Sequence, residues 1–591
     1  MRIRRLSIQN YRGIKSLDWR LPVDQRLITL VGPGDSGKST ILEAIHNLLG
    51  DRWNIAVSDT DFYGASAESP LMIWALLDQL PDALMKDTSM GLWLSGVNAN
   101  ADWYQDPTDD LEPALAVRLT VDASLEPRWH AVRTDGSEQF LTSTHRRAFS
   151  TFKVDDRTDA QLRWSRTSPL GRLSGQGSGE RDALAAASRA AREAIAEQEE
   201  SSLTDLASKV QERANQIGGG SFTCIRPGLD TSRSAMGASL ALYEDAVPLT
   251  SYGLGSRRLA SLAVQQLAAG PRSVAVVDEV EAGLEPHRAV RLLTFLMEDD
   301  QYSQVIVTTH SPVIVEQAKI ENLASVQNRD GEVTITALGG ADAVLQRLRR
   351  ARPSSLLAKK VVVVEGKTEH GLVLELLDHH DKSRATVGLS TSAGEGVAVQ
   401  DGTGGSEVPL RSQALAKLGF EVAAFCDNDD RTVDTSLAAA SAAGVSTIRW
   451  AHGHNTETQV CSELETEGLK DFLQLGVALR NSENTVLDDL KAVGPAELFT
   501  ALDVDGWLLI YSLADIRGWL ASASIERRWF KDVDAGRALG EWILARYDQA
   551  QLAATVTRLI EMHTFVYPAP PSAADPTDTA GGSEGNASPH G

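Results

Sequence analysis

With 591 residues the chain has room for roughly two to four domains. Its 80 acidic against 57 basic residues give a net charge of −23, which argues against a histone-like nucleic-acid binder but not against basic groups gathered in one groove. No apolar run approaches the roughly 18 residues of a membrane span, and the opening Met1-Arg-Ile-Arg-Arg-Leu lacks the apolar block of a signal peptide. The cysteines Cys224, Cys426 and Cys461 are far apart, without metal or disulfide spacing, which predicts a reducing, cytoplasmic setting.

Ile3 to Arg20 reads as a hairpin, and Leu27 to Val31 as a buried strand ending in glycine. Gly32-Pro-Gly34-Asp35-Ser36-Gly37-Lys38-Ser39 then fits G-x-x-x-x-G-K-[ST], and Thr40 and the apolar residues Ile41, Leu42, Ile45 and Leu48 continue as a helix. In that order the backbone N–H groups of the loop can cradle phosphates, Lys38 can reach the β and γ oxygens, and Ser39 can hold Mg²⁺. The chain is therefore expected to bind a nucleoside triphosphate.

Leu71 to Leu77 and Leu115 to Val121 are further strand candidates. Thr142 to Glu180 carries few structure signals and is basic (Arg146, Arg147, Arg163, Arg166, Arg172), which fits a solvated surface and a nucleic-acid contact about equally. Arg181 to Ile217 reads as a helix or helix pair, with Leu203, Leu206, Val210 and Ile217 at a/d-like spacing for barely two heptads. It fits a dimerisation arm or a plain amphipathic surface helix.

Ser251-Tyr-Gly253-Leu-Gly255-Ser256 opens a helix whose N-terminus can present N–H groups to a phosphate. The apolar strand Ser273 to Val277 closes on Asp278 and Glu279. Asp278 is expected to hold Mg²⁺ through water and Glu279 to polarise the attacking water. Gln304-Val-Ile-Val-Thr-Thr-His310 repeats the layout, with His310 placed to touch a γ-phosphate. Gly339 to Ser355 reads as a linker.

Then the pattern restarts. Lys360 to Val364 is a strand running into Glu365-Gly366, with Glu369 at the start of the next helix. Glu421 to Cys426 is a second strand, ending in Asp427-Asn-Asp429, and Thr447 to Trp450 a third, followed by Glu457 and Glu463. Carboxylates gathered at strand ends suit hard divalent cations, Mg²⁺ or Mn²⁺. Asp505 to Ala554 is helical and aromatic-bearing, and from Pro568 the composition predicts a disordered tail.

The phosphate loop, Gly253 to Ser256, Asp278-Glu279 with Glu281-Ala-Gly-Leu-Glu-Pro286, and His310 together resemble the ABC-type ATPase head. Tyr11-Arg-Gly-Ile looks like the recombination and chromosome-maintenance branch of that group. In that branch the glycine signature of one head completes the ATP site of another, so the resemblance implies a homodimer or higher oligomer. Ser-Tyr-Gly-Leu-Gly-Ser departs from the full LSGGQ form. The second half resembles the Toprim domain, and a head followed by Toprim looks like the OLD family of ATP-dependent nucleases, Gabija-type defence nucleases included. Carried over, that family's metal ligands fall on Glu365, Glu369, Asp427, Asp429 and Glu457, with Glu463 the alternative to Glu457. Its catalytic lysine falls on Lys531, whose other reading is a surface lysine beside Arg527 and Arg528.

The expected fold is therefore α/β: an ABC-type ATPase over 1–350 with a helical insert at about 180–217, a Toprim domain over 355–480, a helical extension over 481–565 carrying Lys531, and a tail over 566–591. The expected function is an ATP-regulated endonuclease, in phage defence or DNA repair, using ATP with Mg²⁺ at one site and two Mg²⁺ or Mn²⁺ at the other. DNA is the expected partner, with room for a helicase. The rival is a DNA-binding repair ATPase whose Toprim fold is structural or primase-like.

Overall fold

The computed structural model describes residues 1–50, 55–149, 151–154, 158–164, 168–173, 201–218, 222–230, 239–269, 272–339, 342–547 and 552–567. The chain divides into two units, Met1–Lys359 with Leu418–Phe420, and Lys360–Lys417 with the residues from Glu421 on. No helix among the described residues is long and apolar enough to cross a membrane.

The first unit is built on one mixed sheet. β1 (Arg2–Tyr11) and β2 (Ile14–Arg20) form the expected hairpin, with Leu6 and Ile8 turned into the core by the two-residue alternation of a strand and Ile3 buried beyond a register shift between Ile3 and Arg5. β3 (Leu27–Val31) leads through the phosphate loop into α1 (Lys38–Leu49), which buries Ile41, Leu42, Ile45, Leu48 and Leu49. β4 (Leu71–Asp78) and β5 (Glu112–Val121) extend the β1–β2 hairpin antiparallel. β6 (Thr151–Val154) pairs in parallel with β7 (Ser273–Val277), and β7 with β8 (Tyr302–Thr308). β9 (Leu323–Arg329) and β10 (Glu332–Ala337) form a second hairpin. The parallel order β6-β7-β8-β3-β9 continues through β10 into β2-β1-β4-β5. β3, β7 and β8 are buried along their whole length, the pattern of strands covered on both faces. In this order β8 lies between β3 and β7, so the phosphate loop, Asp278-Glu279 and His310 leave neighbouring strand ends.

Three expectations change here. Helix α2 (Ser201–Gly218) buries Ala207, Val210, Ala214 and Ile217, and Arg213 is tied to Gln266 and Asp299 of its own unit. Its apolar stripe is thus used within the chain, the surface-helix reading rather than a free dimerisation arm; residues 180–200, the first part of the expected insert, lie outside the described residues. The stretch read as a linker is also structured. Ala343–Ala351 is a helix capped by Asp342, with Leu345 and Leu348 buried, and buried Arg349 donates to the carbonyls of Glu316 and Ala318. The boundary between units therefore falls at Lys359/Lys360. Arg146, read as basic surface, is buried with its guanidinium 4.0 Å over the Trp129 ring. Arg166 and the Arg172 side chain lie outside the described residues.

The second unit holds a four-stranded parallel sheet, β12-β11-β13-β14. β11 (Lys360–Val364) runs into helix α3 (Lys367–Thr386), and β12 (Val397–Asp401) is an edge strand that the sequence pattern did not disclose. β13 (Glu421–Cys426) and β14 (Ser446–Arg449) complete the sheet. α4 (Thr456–Glu463), α5 (Leu513–Glu526), α6 (Val533–Leu544) and α7 (Ala553–Val566) follow. Val362 and Phe425 of the sheet share one core with Phe472, Trp529, Phe530, Leu539 and Trp542. The expected C-terminal extension is therefore an integral layer of this unit. The tail from residue 568 on lies outside the described residues.

Candidate active sites

The phosphate loop has the backbone its glycines allow. Gly32 lies at φ 145°, and a Cβ there would sit 2.4 Å from the Val326 carbonyl oxygen. Gly37, at φ 95°, turns the chain into α1. The Lys38 ammonium donates to the carbonyls of Gly32 (3.0 Å) and Pro33 (2.6 Å) and to Ser36 Oγ (3.2 Å). Burial lowers its pKa to about 8, against the raising pull of Asp278, Asp35, Glu279 and Glu281. A buried cation held by neutral carbonyls at the mouth of an N–H-lined loop fits the phosphates of a nucleotide. Ser39 Oγ donates to Asp278 Oδ1 at 2.9 Å, which pairs the two groups that share a magnesium ion in such loops. Thr40 continues the first turn of α1.

β8 ties the carboxylates together. Thr308 donates its hydroxyl to Asp278 Oδ1 (2.7 Å) and accepts the Glu279 N–H (2.7 Å). Glu279 itself lies at φ 45°, a left-handed conformation that non-glycine residues seldom adopt and that functional sites retain. The Glu281 carboxylate accepts from the Thr309 hydroxyl (2.8 Å) and the His310 N–H (2.6 Å), which fixes the strand end carrying the imidazole. Burial, followed by the Lys38 charge, lowers the His310 pKa, so near neutral pH its ring is uncharged and can donate one hydrogen bond. Thr308 and Glu281 were not singled out from sequence as ligand-ordering groups, because a threonine inside an apolar strand and one more glutamate in an acidic turn carry no pattern.

Gly253 precedes helix Leu254–Ala269, and Gly255 and Ser256 lie in its first turn. A Cβ on Gly255 would sit 2.2 Å from the Gly283 carbonyl oxygen, so this glycine serves close packing against the turn that follows Glu281. Arg258, one turn on, donates to the carbonyls of Asp278 and Glu279.

In the second unit the carboxylates meet at the carboxyl ends of β11 and β13. Glu365 Oε2 accepts the Asp427 N–H at 3.0 Å. Glu369 accepts the Gly366 N–H (3.0 Å) and the Thr456 hydroxyl (2.7 Å), while Asp427 Oδ1 accepts the Thr456 N–H (3.1 Å) and lies 3.4 Å from its hydroxyl. Next in α4, Glu457 is fully buried; Lys531 Nζ lies 3.2 Å from its Oε1, and its Oε2 receives no hydrogen bond. Asp429 is exposed on the same turn as Asp427. Burial, then repulsion from Glu369 and Glu365, pushes the Asp427 pKa up to about 9. Burial raises Glu369 and Glu365 as well. Lys531 is raised in spite of burial, by Glu457 and Glu369. Thr456, the hub of this network, was not read from sequence.

Among the described residues no three His, Cys, Asp or Glu side chains are drawn close enough to hold a metal ion as they stand; here the Thr456 hydroxyl links Glu369 and Asp427, and the Lys531 ammonium pairs with Glu457. The donor set nevertheless suits a divalent cation. Its groups are hard oxygens, buried and half-buried carboxylates face a single ammonium, and a Glu457 oxygen lacks a donor altogether.

Glu463 does not join this cluster. Its carboxylate accepts the N–H groups of Ala554 (2.8 Å) and Thr555 (2.9 Å), the Thr555 hydroxyl (2.6 Å) and the Gln459 amide (2.6 Å). It caps the start of α7, where an acidic group answers the free N–H groups of a helix. Glu463→Ala should lower stability by about 1–3 kcal/mol, the cost of stripping a charged acceptor from its donors, read by urea denaturation.

The glycine loop, its flanking carboxylates and the parallel sheet define the first unit as an AAA-type ATPase domain. A family model described as "AAA domain, putative AbiEii toxin, Type IV TA system" matches residues 27–316. No curated protein matches the chain. Among solved structures the chain is similar to an Smc head bound to the C-winged helix domain of ScpA, at 16% identity over 58% of this chain and 100% of that one, TM-score 0.37. It is also similar to an Smc head with an extended coiled coil bound to the C-terminal domain of ScpA derived from Pyrococcus furiosus (15% identity, 59% and 99% coverage, TM-score 0.37). A third is the SMC head domain from Thermotoga maritima (15%, 57% and 99%, TM-score 0.30). Likeness at this level carries no argument about fold or partners; the ATPase domain rests on the family match and the loop geometry.

Proposed function

We propose that the chain is an ATP-regulated, divalent-metal-dependent DNA endonuclease of the OLD type, with a Toprim-like second unit, acting in phage defence or DNA repair. The observation that carries this reading is the largely buried group of Glu365, Glu369, Asp427 and Glu457 at parallel strand ends, with a glutamate oxygen lacking a donor and one lysine reaching in from a distant turn. Such a group, taken from water and left unneutralised, is costly unless a cation completes it. Bound divalent cations would supply a Lewis acid for a phosphodiester and a water of lowered pKa. The chain's own residues do the rest: Glu365 and the Asp427 backbone are hydrogen-bonded and fix the cation-facing oxygens, Thr456 orients Glu369 and Asp427, and Lys531 faces charge developing on the phosphate.

At the ATPase site, Lys38 and the loop N–H groups hold the triphosphate, Glu279 accepts a proton from water, and His310 donates toward the γ-phosphate. ATP then acts as a switch on a dimer, each chain lending its Gly253–Ser256 turn to the other.

Incubation of supercoiled plasmid with Mg²⁺ or Mn²⁺, with and without ATP, tests the reading. Cutting that EDTA stops is expected. Intact plasmid under every metal and nucleotide condition, with ATP hydrolysis normal, would favour the repair-ATPase reading. Lys531→Ala should slow single-turnover cutting by about 10²–10³, the usual cost of one transition-state donor, with far less change in DNA binding. A rate lost only in proportion to binding would return Lys531 to a surface role.

A further inference from the structure

The segment that carries Lys531 also carries two arginines whose placement the carboxylate site does not explain. Helix α5 ends at Glu526, and the turn Arg527-Arg528-Trp529-Phe530-Lys531 leads into α6. Trp529 and Phe530 are buried and hold this turn rigidly: the Trp529 indole donates to Asp489 at 2.9 Å, and the Phe530 carbonyl accepts the Thr368 hydroxyl at 2.8 Å. Arg527 and Arg528 remain exposed.

Among the described residues of this unit, every other arginine side chain has a partner. Arg449 reaches Asp434, Arg537 reaches Glu375 and Asp378, Arg546 reaches Asp471, and Arg431 reaches His452. Arg527 and Arg528 have none among those residues. In a chain of net charge −23, two adjacent arginines with no carboxylate partner among the described residues are open to something outside the chain.

The backbone gives a second, independent sign. Arg528 lies at φ 58°, with the Arg528 N–H bonded to the Ile525 carbonyl and the Trp529 N–H to that of Ser524. This is the left-handed position just past a helix end, where glycine is the default because a side chain is strained there. Arg528 thus keeps a side chain where glycine would sit without strain.

We propose that Arg527 and Arg528 form a phosphate seat that lays one strand of a DNA duplex across the carboxylate cluster. Lys531, three residues on, reaches Glu457 while the two arginines stay in solvent, so one rigid turn can hold consecutive phosphates with the scissile one over the carboxylates. Guanidinium groups suit this task because their planar fork matches phosphate oxygens, and a seat fixed before binding loses little entropy. The inference rests on the nuclease reading for what the seat is for.

The test is binding of a labelled DNA duplex to the full chain with Ca²⁺ replacing Mg²⁺, followed by anisotropy from about 50 to about 200 mM salt. The double variant Arg527→Ala/Arg528→Gly should flatten the slope of log affinity against log salt by about two, since each lost phosphate contact removes close to one unit. The affinity loss should then be about tenfold larger at the low-salt end than at the high-salt end. Arg528→Gly alone should melt no lower than wild type, because glycine suits the left-handed position, yet should lower the slope by about one. A merely structural arginine gives the opposite pair of results. Arg527→Lys/Arg528→Lys should keep the slope. An unchanged slope in the double variant, with cutting intact, overturns the seat and leaves the nuclease reading standing. A flattened slope in a protein that never cuts keeps the seat and overturns the nuclease reading. A slope change seen with duplex RNA but not with DNA overturns the choice of DNA.

Discussion

Glu279→Gln should hydrolyse ATP about 10²–10⁴-fold more slowly than wild type while still binding it, because an amide cannot accept the proton of the attacking water. The geometry supports that split. The groups placed to hold the phosphates are Lys38, Ser39 and the loop N–H groups, whereas Glu279 is fixed through its backbone, by Thr308 and Arg258. Lys38→Ala should fail earlier, at binding, since it removes the cation now held on the Gly32 and Pro33 carbonyls. Nucleotide binding by titration calorimetry, beside steady-state hydrolysis, separates the two. A Glu279→Gln protein turning over at the wild-type rate would remove Glu279 from its role. The lowered Lys38 pKa adds a further check. Held at about 8 in the free protein and raised by phosphate charge when bound, Lys38 should take up a proton on nucleotide binding above about pH 8, so the measured heat should depend on the buffer's ionisation enthalpy.

What was legible in the sequence follows from how local each signal is. The phosphate loop, the strand–carboxylate endings and the β1–β2 hairpin are contiguous patterns enforced by backbone geometry, and each appears where the pattern places it. Glu365, Glu369 and Asp427 were legible as strand-end and helix-start carboxylates, and they share one hydrogen-bonded network. Thr456 was not, because its importance lies in reaching two carboxylates from other elements. The choice between Glu457 and Glu463 was undecidable by spacing, since both lie in α4. Burial and partners separate them: Glu457 is turned inward to Lys531, which favours it as the ligand at the proposed site, and Glu463 toward the start of α7. The stretch read as a linker shows a different failure. It forms a helix whose Arg349 is buried and donates to carbonyls at the end of another helix, a contact no local window contains.

Asp427→Asn should abolish metal-dependent cutting and leave ATP hydrolysis near wild type, because the carboxylate belongs to a unit with its own core. The same substitution should change how stability depends on pH. In the metal-free protein Asp427 is held protonated, with a pKa pushed up to about 9 by burial and by Glu369 and Glu365, against about 3.9 in the unfolded chain. The folded state therefore binds more protons between those values. Stability is then greatest below the unfolded pKa and falls as pH rises toward the folded one, by at most about 1.4 kcal/mol per pH unit for one proton. That proton belongs to the cluster as a whole, since its carboxylates lie too close to titrate separately. At the proposed site a divalent cation would take the place of the proton, so Mg²⁺ or Mn²⁺ should raise the melting temperature, and more at about pH 8 than at about pH 5. The substituted amide has no charge to gain or lose, so the variant should melt with a shallower pH dependence and gain little from metal. Melting curves of wild type and Asp427→Asn across that range, with and without Mn²⁺, make the comparison. A wild-type protein whose melting temperature rises with pH without metal and ignores Mn²⁺ near the top of that range would mean that these carboxylates are paired structurally, and the cutting prediction would fall with them.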